Sequence, residues 1–465
     1  MKTKTPAAPT RRDFLKTSAL AAASLAVPAI VPASVFGKNA PSNRITIGAI
    51  GTGRISREHD LPEVRKYAHA QVVAVCDVDA RRLQDAKKFV EDYYAQKRPG
   101  GKFKGVQTYA DYRELLANKK IDAVVVSTPD HWHAQIAMEA ALAGKDIYLQ
   151  KPTSLTIAEG RALSDVIRQT GRILQTGSQQ RSAYPWPHFK RACELVRNGR
   201  IGQLRTVHIG LPGDPGGDPE PEMPVPSTLN YDFWLGSTPQ VYYTEKRVHP
   251  QADYSRPGWL RCEQFGAGMI TGWGAHHVDT AHWGMGTELT GPVEVEATAQ
   301  FPKSGLWNVH GPFNATAKYA NGVTIFLGGD NPNGVKFVGS EGWIFVTRGS
   351  GVTASDPTGA ANQALVASDP KILGSVIGEG ETKLYLSPDQ HGNWLDCIRT
   401  RQPPVAPAEV GHRSTSACLL VHHAMKLGRK LYWDPAKEQF VNDPEANALI
   451  AKPQRQPYGT SYVKR

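Results

Sequence analysis

The sequence predicts two dissimilar halves: a doubly wound parallel α/β sheet over residues 44–180, then an α+β domain over 181–450 built on a large, mostly antiparallel open sheet. Three observations carry that reading. A β-branched run, Ile45-Thr46-Ile47, leads into a glycine turn, Gly51-Thr52-Gly53. From there to residue 175, short apolar runs alternate with helical patterns, as in a parallel sheet with crossover helices. After Leu204 the helical spacing gives way to alternating polarity, which marks strands with one wet or partner-covered face.

At 465 residues the chain is long enough for two or three domains. Residues 1–37 read as a targeting segment. Arg11-Arg12-Asp13-Phe14-Leu15-Lys16 precedes an Ala-, Leu- and Val-rich stretch and resembles a twin-arginine export signal. Pro28 and Pro32 interrupt that stretch and argue against a stable spanning helix. The expected route is the twin-arginine export machinery and the expected location the periplasm. The net charge is +11, of which this segment supplies +4. The remaining positive residues are scattered, without a dense basic run or aromatic interleaving, so no nucleic acid partner is expected. Five cysteines, far apart and odd in number, give no disulfide framework.

The glycine turn points to a dinucleotide. Gly51 permits the tight turn, and Gly53 lacks the Cβ that would keep a pyrophosphate off the backbone. The helix opening at Arg54, Ile55 and Ser56 then directs free N–H groups at that phosphate. Ser56 stands where the fingerprint has a third glycine, a position that mainly requires a small residue. The second apolar run, Gln71–Cys76, ends in Asp77, placed to accept hydrogen bonds from ribose hydroxyls and to repel a 2′-phosphate. Asp77 also suits a helix cap or turn. NAD is expected, with NADP left open by Arg81 and Arg82. The next strands, Ile121–Val126, Asp146–Leu149 and Arg172–Gln175, alternate with helices Ile136–Ala143 and Thr156–Gln169. Polar groups follow each strand, at the carboxyl ends where open α/β sheets bind ligands.

Taken in order, Gly51-Thr52-Gly53, Asp77, Thr128-Pro129 with His133, and Lys151-Pro152 resemble the Gfo/Idh/MocA oxidoreductases over most of residues 44–450. The resemblance implies a Rossmann domain and NAD(P) chemistry on sugars or polyols. It implies that Ser127, Thr128, Pro129, His133 and Gln150 lie at the cofactor, and that Lys151 lies beside the nicotinamide and hydrogen-bonds the reacting hydroxyl. A cation there stabilises a developing alkoxide. The family usually has Glu before this lysine; with Gln150 the lysine loses a neighbouring negative charge. His276 matches the family's histidine of the pattern Asp-x-x-x-His, but the Asp position is Gly272. Because the twin-arginine route carries folded proteins, the cofactor is expected to be tightly held.

In the second half, Gln179, Gln180 and Arg181 offer amides and a guanidinium to a sugar, although a structural loop fits them nearly as well. Residues 211–230, with six prolines and three glycines, form an irregular loop long enough to be functional. Trp273, His276 and His277 are further substrate candidates. Three readings compete here: a metal on His276, Asp279 and His282, core histidines, or acid–base work by His276. No other ligand set is evident, so no metal is expected. Residues 351–380 read as a surface excursion and 451–465 as an arm, and the broad sheet suits a homodimer or homotetramer. The favoured function is hydride transfer from a sugar, glycoside or polyol hydroxyl. Two alternatives are a redox-neutral NAD-dependent glycosidase or lyase, and a binding protein that holds the cofactor without turnover.

Overall fold

The computed structural model describes residues 44–351 and 362–464, so the twin-arginine segment lies outside the described residues. Six strands, β1 (Ile45–Ile50), β2 (Ala70–Cys76), β3 (Gln107–Tyr109), β4 (Ala123–Val126), β5 (Asp146–Leu149) and β6 (Leu174–Thr176), form one parallel sheet in the order β3-β2-β1-β4-β5-β6. β4 and β5 are buried at every residue because helices cover both faces. The order reverses between β1 and β4, which opens a crevice at their carboxyl ends.

Three helices flank this sheet: α1 (Ala80–Gln96), α2 (Asp130–Leu142) and α3 (Ile157–Thr170). Asp79 caps α1 by accepting from the Arg81 N–H. α3 opens with a capping box between Thr156 and Glu159 and closes at Gly171. The helix expected after the glycine turn opens at Arg54 and Ile55, widens into a π-helical turn over Ser56–Asp60, and continues as Leu61–Val64. Within that turn Asp60 is fully buried, which becomes important below.

α4 (His188–Arg197) leads into a nine-stranded sheet of β7 (Leu204–Gly210), β8 (Glu294–Ala299), β9 (Phe313–Lys318), β10 (Thr324–Gly328), β11 (Gly334–Gly339), β12 (Trp343–Val346), β13 (Leu365–Ala367), β14 (Leu431–Asp434) and β15 (Gln439–Phe440). Its order is β13-β12-β11-β7-β10-β9-β8-β14-β15, and only β7 and β10 pair in parallel. Val207, Ile209, Ile325, Leu327, Val335 and Phe337 face a core shared with α4 and with α5 (Gly274–Met285). On the opposite face His208 stacks on Phe326 at 5.1 Å, partly exposed. β13 and the short helix Pro370–Gly374 fall inside the stretch expected to be a surface excursion. β13 finds its partner in Ile344–Val346, a pairing with no local signal.

The two halves interlock. α6 (Gln390–Thr400) returns to the first sheet, where Trp394 joins its core, and α7 (Ala408–Leu427) packs on α3 and α5. The terminal stretch expected as an arm is docked: Tyr458 stacks on Phe233 and meets Trp132 edge-on, and the Gly459 N–H donates to Gln135 at 2.6 Å. Among the described residues no helix is long and apolar enough to cross a membrane.

Candidate active site

A cleft opens at the carboxyl ends of β1, β2, β4 and β5. The residues expected at the cofactor are gathered on its wall: Gly51, Gly53, Arg54 and Ile55 from the glycine turn, Asp77 from β2, Ser127, Thr128, Pro129 and His133 after β4, and Gln150 and Lys151 after β5. The turn has the shape a pyrophosphate requires. Gly51 has φ +81°, and a Cβ there would lie 2.8 Å from the backbone of Ser127 and Thr128. A Cβ at Gly53 would meet nothing within 4 Å, so the space above it is open. Asp77 accepts from the Thr52 N–H at 2.7 Å and the Thr52 hydroxyl at 2.8 Å, which locks its carboxylate to the turn. The cap of the following helix is Asp79, which leaves Asp77 facing the cleft. His133 lines the cleft, but its ring nitrogens lie 2.6 Å from the Pro152 carbonyl and 2.8 Å from that of Thr128. It ties the β4 and β5 loops together instead of offering a nitrogen to a ligand.

Lys151 is the hinge of the site. Its Nζ donates to the Gly272 carbonyl at 2.8 Å, and it lines both this cleft and a second cavity. Burial pulls its pKa below the ordinary lysine value, opposed by Asp130 and, more weakly, by Asp60. Asp130 is pushed up in turn by burial, with Lys151 opposing. The loss of negative charge implied by Gln150 is therefore corrected by the fold. Asp60 receives the Gln150 amide at 2.8 and 3.1 Å and the Ser127 hydroxyl at 2.6 Å. Burial alone would raise the Asp60 carboxyl, but the His391 and His59 imidazoles beside it hold it well below the usual carboxylate range.

The second cavity is lined by His59, Gln179, Trp186, Arg348, Asp389 and His391 together with Ile55, Gln150 and Lys151. Arg348 lies over the Trp186 ring at 3.8 Å. Of the residues expected at the substrate, Gln180, Arg181, Trp273 and His277 line neither cavity. Gln180 is buried with its amide 2.8 Å from the Thr280 hydroxyl. Trp273 and His277 are fully buried and both reach Asn333 at 2.8 Å. Arg181 forms a bidentate pair with Asp279 at 2.6 and 2.9 Å and reaches Glu288 at 3.1 Å. The 3₁₀ turn Gln179–Arg181 aims successive side chains in different directions, so Gln179, one residue earlier, is the one that meets the cavity. Arg181→Met is expected to lower stability by about 3–5 kcal/mol, because it strands a buried carboxylate, while KM for substrate stays unchanged. Urea unfolding and steady-state kinetics check both.

His276 is 1 % exposed, lines neither cavity, and among the described residues has no hydrogen-bond partner at either ring nitrogen. Burial first, then the positive charges of Arg348 and Lys151, push it well below the ordinary histidine range, so it is neutral at pH 7. The ligand set weighed on its helix does not converge: Asp279 is taken by Arg181, and His282 lies 2.6 Å from the Tyr319 hydroxyl. Sequence reasoning missed Asp60, Asp130, His59, His391 and Arg348. Gln150 was the one available signal, since a missing carboxylate had to be supplied from elsewhere.

An open α/β crevice with a phosphate-shaped glycine turn and an acid on the second strand defines a dinucleotide-binding protein. Comparison with known proteins agrees. Residues 45–178 match the NAD-binding Rossmann fold of the Gfo/Idh/MocA oxidoreductase family, and residues 216–357 and 371–460 match that family's C-terminal alpha/beta domain. The chain belongs to the Gfo/Idh/MocA oxidoreductases. It is 27% identical over 249 residues to the uncharacterized oxidoreductase YrbE of Bacillus subtilis, covering 54% of this chain and 56% of that one. It is 33% identical over 211 residues to Glycosyl hydrolase family 109 protein 2 of a Shewanella species, covering 42% and 44%. The matched stretches span about half the length of these relatives. The WlbA dehydrogenase of Chromobacterium violaceum, solved with NADH and UDP-GlcNAcA, has a similar fold, with a TM-score of 0.58 and 18% identity over 84% of this chain and 96% of that one.

Proposed function

We propose that this protein is an NAD-dependent oxidoreductase acting on a hydroxyl of a sugar, glycoside or polyol. The observation that carries the reading is Lys151, one side chain in the wall common to the cofactor cleft and a polar second cavity. Bound in the cleft, the nicotinamide supplies the hydride acceptor. The chain's residues do the rest. Thr52 and Asp77 orient the ribose, and Gly51 and Gly53 admit the pyrophosphate. The Asp77 carboxylate on the cleft wall would repel a 2′-phosphate, which favours NAD, while Arg82, which also lines the cleft, spends one guanidinium nitrogen on the carbonyls of Pro250 and Asp253. In the second cavity, polar groups such as Gln179 and Asp389 can bind hydroxyls, and Trp186 offers a ring face. Lys151 donates to the reacting oxygen and stabilises the negative charge that grows there. His276, neutral and with no hydrogen-bond partner at its ring nitrogens among the described residues, is the proton acceptor of this reading.

The test is the full chain incubated with NAD and a panel of polyols, free sugars and glycosides. Stoichiometric NADH formation with a polyol or sugar is the expected result. The relative of the glycosyl hydrolase family 109 name favours a second reading, in which the same groups serve redox-neutral cleavage. Glycoside cleavage without NADH accumulation would replace the first reading by the second. Binding of NAD with neither outcome would leave a cofactor-holding binding protein. We further propose that Arg11-Arg12 directs export with the cofactor bound, and that the half-exposed sheet face bearing His208 and Phe326 is covered in a homodimer or homotetramer.

A further inference from the structure

One group of ligand-type side chains outside the expected machinery converges at the second cavity. His59 Nδ1 lies 3.1 Å and His391 Nε2 lies 3.3 Å from the same oxygen, Oδ1 of Asp60. All three atoms lie within 4.8 Å of one another. Bonds of ~2.0–2.1 Å to a tetrahedral ion place neighbouring ligand atoms about 3.3 Å apart. We propose that His59, Asp60 and His391 form a binding site for a divalent transition metal ion of the zinc type, on the wall of the cavity that Lys151 also lines.

Four further features support the site. The His391 side chain is 1 % exposed, and its Nε2, 3.3 Å from Asp60 Oδ1, makes no well-aligned hydrogen bond among the described residues. The ring is fixed by stacking on Tyr148 at 4.2 Å. The carboxylate is held from behind by the Ser127 hydroxyl and the Gln150 amide, the kind of outer support that orients metal ligands. Finally, the Asp389 carboxylate lines the same cavity and faces an ion held there.

The donor set decides the class of ion. Two imidazoles and one carboxylate suit Zn²⁺ or another late first-row ion, whereas Ca²⁺ and Mg²⁺ take oxygen ligands. Three protein ligands leave coordination positions open, as in sites that bind a water or a substrate oxygen. Both imidazoles line the cavity, so an ion held there adds a hydroxyl-binding point near Lys151. The competing arrangement is a plain hydrogen-bonded cluster, in which His59 gives its proton to Asp60 and no ion binds.

The site stands apart from the hydride-transfer reading and is tested without substrate. The full chain is stripped with a chelator and titrated with Co²⁺ alone. One equivalent is expected to bind with visible d–d absorption, and Zn²⁺ is expected to displace it. Asp60→Asn and His59→Ala are each expected to weaken Co²⁺ binding on the order of 100-fold, the upper end of what loss of an outer-shell partner alone costs. His59 is 34 % exposed in its side chain, so His59→Ala keeps the test usable if the Asp60 variant fails to fold. Circular dichroism and NAD binding verify the fold of each variant. Absence of d–d absorption, or absorption that persists unchanged in folded His59→Ala, overturns the site and leaves the dinucleotide reading intact.

Discussion

Replacement of Lys151 by methionine is expected to lower kcat by about 10²–10³-fold, the range seen when one preorganised donor to a developing oxyanion is removed. Methionine keeps most of the side-chain volume and removes only the ammonium. NAD affinity is expected to shift by less than about tenfold, because the residues proposed to hold the phosphates and ribose, Gly51, Gly53 and Asp77, lie on another part of the cleft wall. Isothermal titration with NAD and steady-state rates separate the two effects. A variant that turns over at the parent rate would remove Lys151 from the reaction. The pH profile sharpens the test. The charged ammonium is the active form, and burial lowers its pKa in the folded protein. The rate should therefore fall on the alkaline side at a pH below the lysine value of 10.5. Asp130 opposes that shift, so Asp130→Asn is expected to move the alkaline limb to lower pH. A limb that stays in place, or moves up, would contradict the assigned electrostatics.

The second large effect separates binding from stability within one turn. Gly53→Val is expected to weaken NAD binding about 100-fold or more while the unfolding midpoint stays within a degree or two. A Cβ at Gly53 meets nothing in the protein, so the fold has no quarrel with the side chain; only an approaching pyrophosphate does. Gly51→Val should behave differently. Its φ of +81° and the backbone atoms 2.8 Å from the added Cβ make the substitution strained whatever is bound. Loss of both NAD binding and stability is expected there. Equal unfolding midpoints for the two variants, or undiminished NAD binding in Gly53→Val, would contradict this division of labour. Thermal unfolding with and without NAD reads both.

Much of the cleft was legible because its signals are local. A glycine turn after a β-branched strand, an acid closing the next strand, and Lys-Pro after a short apolar run each lie within a dozen residues. The parallel sheet places all such strand ends on one edge, so Gly51, Asp77, Thr128 and Lys151 were bound to meet. The substrate side was less legible. Gln180 and Arg181 had the right chemistry, but a short turn has no periodicity from which to read direction, and the cavity fell to Gln179. Trp273 and His277 went to the core because helix spacing alone does not say which face of α5 is covered.

What the amino-acid sequence determined by itself was the order of layers and the dinucleotide crevice, since apolar period and turn chemistry act over a few residues. What only the tertiary structure decided was the electrostatics around Lys151. Asp60, Asp130 and His391 come from a π-helical turn, a helix start and a helix some 240 residues downstream, and no local pattern ties them together. Their proximity follows from the interlocking of the two halves, and at short range in a low-dielectric interior that proximity sets which groups stay charged.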